Sequence, residues 1–94
     1  MGPESRPVRR SDVLAQAAGE TVILLTPDSG EYFTLNEVGG RIWELADGSR
    51  TAAEIAGMLV DEYDAPPEEI QADMFELLSE LAEERLLSDG QGSA

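Results

Sequence analysis

Gly30-Glu31-Tyr32-Phe33-Thr34-Leu35-Asn36 is the stretch whose reading decides the fold. Its middle residues are aromatic, β-branched or apolar, the types that suit a pleated strand. Asn36 follows without a loop, and Asn caps a helix by accepting a backbone N–H of the first turn. A strand over 31–35 therefore runs directly into a helix. That strand closes a small antiparallel meander, so it lies at a sheet edge. Its unpaired backbone groups are an aggregation liability unless a partner uses them. It carries no catalytic group.

Upstream, residues 12–17 read as a weak strand and Ala18-Gly19-Glu20 as a turn of hairpin length. Residues 21–26 are a strong strand. Val22 and Leu24 alternate with Ile23 and Leu25, so both faces are apolar, as in a central strand covered on both sides. Pro27-Asp28-Ser29-Gly30 is a turn: proline presets φ, Asp and Ser bond locally, and glycine tolerates φ > 0. Downstream, Val38, Ile42 and Leu45 recur at helical spacing with Trp43 beside them as a core aromatic, and Gly48 stands where a glycine ends a helix. Gly39-Gly40 costs about 1 kcal/mol per residue relative to Ala inside a helix, which close approach to a neighbour would offset. Thr51 and Glu54 form a capping box ahead of the Ile55, Leu59, Tyr63 stripe. Pro67, Glu68 and Glu69 suit the first turn of a third helix running to about Leu87, with Ile70, Met74, Leu77, Leu78 and Leu81 on one stripe. The order β-β-β-α-α-α predicts an α+β, winged-helix-like domain: a three-stranded antiparallel meander followed by three helices. The expected limits are a disordered tail over 1–11, the domain over 12–88, and a disordered tail over 89–94.

The 94 residues fit one domain with a modest core and no large cleft. With 41% apolar residues the chain should fold. It has no cysteine and no histidine. This removes disulfide and thiolate chemistry, the commonest general base and the commonest metal ligand. No apolar run approaches the roughly 20 residues that span a bilayer. The first ten residues hold three arginines but no apolar core of a secretory signal, so a cytoplasmic location is expected. The net charge is −14, and all six basic residues are arginine. Such a field repels a phosphate backbone and favours neutral or basic partners. Neither nucleic acid nor a membrane is expected as a partner.

Carboxylates are the abundant ionisable groups. Asp73, Glu76, Glu80 and Glu84 lie on about one side of the third helix, but paired carboxylates need a cleft to become catalytic, and the chain is read as no enzyme. No dense Asp-x-Asp-x-Asp-Gly loop is present, and Asp61-Glu62 with Asp64 reads as a solvated helix end, so neither metal nor cofactor is expected. Asp28-Ser29 echoes the serine site of phosphopantetheine carriers, yet it lies between strands with no helix following, and the turn reading wins. Tyr32 and Phe33 point to opposite faces, which puts at least one of them near an exposed surface or groove.

Leu24 through Asn36 resembles the PqqD-like family, as do Ile42-Trp43-Glu44-Leu45, Asp47-Gly48-Ser49-Arg50-Thr51, and Asp73 with Leu77, Leu78 and Leu81. The resemblance implies a RiPP recognition element, a small domain that binds the leader of a ribosomally made precursor peptide and presents it to a processing enzyme. It further implies that the leader adds as a strand beside the third strand, in a groove bounded by the third helix. On this chain the expected peptide-binding residues are Glu31, Tyr32, Phe33, Thr34 and Leu35. Helical spacing adds Asp73, Met74, Glu76, Leu77, Glu80 and Leu81. Free-standing length and Ala/Glu-rich helices look like the discrete recognition proteins of lasso-peptide pathways, whose partner is a leader peptidase. The alternatives are a PqqD-type chaperone presenting its precursor to a radical SAM enzyme, and a winged-helix DNA-binding regulator.

Overall fold

A computed structural model describes residues 1–90 of the chain. Its elements in order are β1 (Pro7–Arg9), β2 (Leu14–Ala18), β3 (Thr21–Leu25), β4 (Tyr32–Leu35), α1 (Glu37–Leu45), α2 (Ala52–Glu62), α3 (Pro67–Glu83) and β5 (Leu87–Asp89). Strands β2, β3 and β4 form the three-stranded antiparallel sheet in that order, and the three helices follow it. The α+β architecture expected from the sequence is the one observed.

Local chemistry sets the joints. The Asn36 side chain accepts the Gly39 N–H at 2.8 Å, capping α1. Thr51 accepts from the Glu54 N–H, and the Glu54 carboxylate accepts from the Thr51 N–H at 2.8 Å, which completes the capping box of α2. Gly30 ends the β3–β4 turn at φ 70°, and Pro67 opens α3. The core joins Leu24 and Leu35 of the sheet to Ile42 and Trp43 of α1, Ile55 and Leu59 of α2, and Met74, Leu78 and Leu81 of α3. Among the described residues, no helix is long and apolar enough to cross a membrane.

Three expectations change. The segment 1–11, read as a disordered tail, is built into the fold. Strand β1 pairs antiparallel with β5, Pro7 opposite Asp89 and Arg9 opposite Leu87. The Ala52 and Ala53 N–H groups of α2 donate to the Ser5 and Pro3 carbonyls at 2.7 and 2.9 Å. The Arg9 guanidinium donates to the Trp43 and Glu44 carbonyls at 3.2 and 3.0 Å. These bonds satisfy helix-end groups that have no partner within their own helices. Asp89 and Gly90 belong to the same clasp, with the Gly90 N–H donating to the Arg6 carbonyl at 2.8 Å; the remainder of the expected tail lies outside the described residues.

Secondly, β3 is central but covered on one face only. Val22 and Leu24 face the helices, whereas Ile23 is half-buried and Leu25 exposed on the outer face. Leu25 stands opposite Leu14 on one side and Tyr32 on the other, so an apolar row crosses the outer face. Thirdly, two helices end early. Helix α1 stops at Leu45, with Gly48 (φ 85°) in the loop beyond, and α3 stops at Glu83.

Candidate functional site

The sheet has two edges, β2 and β4. The hydrogen-bond phase of β4 follows from its register. The Thr26 N–H donates to the Glu31 carbonyl at 2.9 Å, and the paired positions continue Leu25–Tyr32, Leu24–Phe33, Ile23–Thr34 and Val22–Leu35. Bonded and non-bonded pairs alternate along an antiparallel ladder. Phe33 and Leu35 therefore turn their N–H and C=O groups toward β3, while Tyr32 and Thr34 turn theirs outward to the open edge. Side chains alternate across the pleat instead. Phe33 and Leu35 point to the helical side, and Tyr32 and Thr34 to the outer face, where Tyr32 is 74% exposed.

Below the open edge lies a cavity of about 590 Å³ between β4 and α3. Its β4 wall is Phe33, Thr34 and Leu35, and its α3 wall includes Ile70, Asp73, Leu77 and Glu80. Gly39 brings the walls together: a Cβ there would stand 3.2 Å from Leu35 Cβ, Leu77 Cδ2 and Asn36 Oδ1. The close approach foreseen for Gly39-Gly40 is thus made to a strand and to α3. The far end is closed by Tyr63 and Ala65. Burial, and then the neighbouring Glu37 and Glu62, raise the Tyr63 hydroxyl above its ordinary range. A bidentate pair, Arg41 Nε and a terminal nitrogen to the two Glu62 oxygens at 2.8 and 2.9 Å, ties α1 to α2 beside it. The Arg41 hydrogen bond holds the Glu62 carboxyl below its ordinary range.

Of the residues singled out in the sequence, Phe33, Thr34, Leu35, Asp73, Leu77 and Glu80 come together around this cavity. Met74 and Leu81 do not: both are fully buried in the core. Glu76 is exposed on α3 away from the cavity, and Glu31 and Tyr32 line a smaller recess at the other end of β4. Sequence reading missed Val38, Tyr63, Ala65 and Glu69, which line the main cavity. Glu69 lies one helical turn before Asp73, a spacing that could have flagged it. Tyr63 had no such signal, because it reaches the cavity only through the extended backbone that ends α2.

The walls are apolar and the rim acidic, through Glu69, Asp73 and Glu80. Among the described residues, no group of three or more acids could hold a metal ion. The arrangement offers an extended chain backbone partners along β4, apolar contacts beneath, and negative charge beside it.

A family profile described as Coenzyme PQQ synthesis protein D (PqqD) matches residues 21–87, from the first residue of β3 to the first of β5. The chain belongs to the PqqD family. It is 35% identical over 86 residues to a protein named PqqA binding protein from Xanthomonas axonopodis pv. citri (strain 306), spanning 89% of this chain and 91% of that one. Among solved structures it resembles TbiB1 in complex with the TbiA(beta) leader peptide, at 30% identity and a TM-score of 0.75 over 93% of this chain and 98% of that one. It also resembles the PqqD truncation of Methylobacterium extorquens PqqCD, described as a functional, stand-alone RiPP recognition element, at 31% identity and a TM-score of 0.72 over 87% of each chain. The PqqD resemblance read from the sequence therefore holds for this chain.

Proposed function

We propose that this PqqD-family chain is a RiPP recognition element. It captures the leader of a ribosomally made precursor as an added strand on β4 and hands it to a separate enzyme, performing no chemical step itself. The observation that carries this reading is the outward phase of Tyr32 and Thr34 above an apolar cavity. Strand addition draws affinity from main-chain bonds and specificity from pockets that read alternate side chains. Two outward residues offer four backbone bonds, each worth about 0.5–1.5 kcal/mol net. Ordering a flexible leader costs about 2–5 kcal/mol, so these bonds roughly offset the ordering. Net affinity then rests on side chains entering the cavity, at about 1.5–3 kcal/mol for each large apolar group buried. The inward-facing leader residues, those opposite Phe33 and Leu35, are the anchors.

The TbiB1 leader complex supports this reading, and the net charge of −14 opposes the DNA-binding alternative. The pathway we favour is lasso-peptide biosynthesis in the cytoplasm, with a leader peptidase as the receiving enzyme. The second reading, a chaperone presenting PqqA-type precursor to a radical SAM enzyme, is favoured by the relatives named PqqA binding protein. Titration of the isotopically labelled chain with the leader of the precursor encoded beside it should shift the amides of β4 and of Ile70 to Leu81. Binding that leaves both unmoved would refute strand addition. Titration with the leader of the other pathway discriminates the two assignments.

A further inference from the structure

Five of the six arginines are engaged within the chain. Arg6 donates to the Ser49 carbonyl at 2.9 Å, and Arg9 to the end of α1. Arg10 bonds Asp12 and Asp28 at 3.0 and 3.1 Å, Arg41 bonds Glu62, and Arg50 lies 3.5 Å from Asp47. Arg85 is exposed and has no acceptor or acidic partner among the described residues, in a chain carrying 20 acids.

Its backbone position is also unusual. The Leu86 N–H donates to the Leu81 carbonyl at 2.9 Å and the Arg85 N–H to the Ala82 carbonyl at 3.0 Å, the two bonds that close a helix in a left-handed residue. That residue is Arg85, at φ 61°. Glycine suits such a position best, and a long charged side chain gains nothing there from the backbone.

Arg85 lines the second recess, of about 220 Å³, at the Tyr32 end of β4. Leu24 and Phe33 also line this recess, and Phe33 lines the main cavity as well, so the two adjoin at Phe33 along β4. The Leu35 end carries Glu69, Asp73 and Glu80 without a cation. The Tyr32 end carries Glu31, Glu84, the Arg10–Asp28 pair and Arg85. The one arginine without a partner among the described residues therefore sits at the Tyr32 end.

The geometry points to Arg85 as a specificity-determining residue that receives a carboxylate side chain of the bound peptide. This rests on the strand-addition reading above and adds to it a polarity. The peptide carries an Asp or Glu on the Tyr32 side of its apolar anchors and neutral or basic residues on the Leu35 side. With the more stable antiparallel pairing, the acid lies C-terminal to the anchors. The guanidinium fork matches a carboxylate bidentately, so an acid docked on Arg85 itself is accepted although Glu31 and Glu84 repel a diffuse negative charge.

The test uses a bead-bound random dodecapeptide library, N-acetylated and linked through its C-terminus, so side chains supply the only carboxylates. It is selected on the wild-type chain and on Arg85→Gly and Arg85→Glu. Glycine accommodates the left-handed position, so Arg85→Gly folds, with an unchanged or higher Tm. Wild-type selections should show apolar residues at i and i+2, with Asp or Glu enriched about two- to fivefold on their C-terminal side. Arg85→Gly should keep the apolar pair and lose the acid. Arg85→Glu should replace it with Lys or Arg. An apolar pair without acid enrichment on the wild type, or acid enrichment unchanged in both variants, overturns the role of Arg85 and leaves strand addition standing. Wild-type selections with no spaced apolar pair overturn both.

Discussion

Gly40 of α1 faces Val22 of β3 so closely that a Cβ at position 40 would stand 2.6 Å from Val22 Cγ2. Val22 pairs in turn with Leu35, so this helix–strand contact helps hold β4 with its outer edge clear. Gly40→Ala gains about 1 kcal/mol of helix propensity but overpacks a β-branched side chain with little rotamer freedom, a cost of about 1–3 kcal/mol. Gly57, in α2, has nothing within 4 Å of such a Cβ, so Gly57→Ala should stabilise by about 0.5–1 kcal/mol. Thermal melts should show Tm falling for the first variant and rising for the second. Shifts of the same sign would contradict the packing described.

A proline pair tests the phase of β4. The Thr34 N–H points outward, so Thr34→Pro keeps the β3–β4 ladder while removing one donor from the open edge, where proline is tolerated. The far-ultraviolet circular dichroism should be retained and leader affinity should fall roughly 2- to 12-fold, the worth of one net backbone bond. Phe33→Pro removes an inward donor opposite Leu24 and should disrupt the fold. A folded Thr34→Pro chain with undiminished affinity would count against strand addition.

The groove assigns different weights to its side chains. Leu77, half-buried in the α3 wall, should cost about 1.5–3 kcal/mol of binding when cut to alanine. Asp73→Asn, on the exposed rim, should cost about 0–1 kcal/mol. Neutralising Glu69, Asp73 and Glu80 together should slow association with a basic leader and flatten its salt dependence, whereas Glu76→Gln should do neither. Stopped-flow association at low and high salt separates these outcomes. Identical salt slopes for wild type and the triple variant would make the rim acids bystanders.

Acid should remove one tie at the closed end of the cavity. The ordinary carboxyl value for Glu62 is 4.5, and its bond to Arg41 lowers it in the folded chain. The pair's stabilisation is therefore full above pH 4.5 and is lost as pH falls through the depressed folded value. The Tm difference between wild type and Glu62→Gln should be constant from pH 7 to about 5 and shrink below 4.5. A gap that widens on acidification would reverse the sign of this linkage.

Much of the frame was legible because its signals are local. Asn36 and the Thr51–Glu54 box each cap a helix within one turn, and Pro27 to Gly30 carry a turn's own chemistry. The β1–β5 clasp was not legible, since two three-residue strands at opposite ends of the chain leave no periodicity to read. The end of α3 was hidden for a related reason: its left-handed residue is Arg85, where a glycine would have announced the stop. On β4, strand alternation put Tyr32 and Phe33 on opposite faces, and the PqqD resemblance supplied the rest of the expected wall. On α3 the resemblance named the helix that walls the cavity, while helical spacing spread the expected contacts over too wide an arc. Met74 and Leu81 share a stripe with Leu78, and the core buries that stripe.

Pairing of the leader with the open edge of β4 is measured residue by residue by amide hydrogen exchange. In the free chain, the Phe33 and Leu35 amides should be protected by β3, and those of Tyr32 and Thr34 should exchange fast. With saturating leader of the chain's own precursor, Tyr32 and Thr34 should become protected, while Phe33 and Leu35 stay as slow or slower. A saturated complex in which Tyr32 and Thr34 still exchange at their free rates would contradict the account.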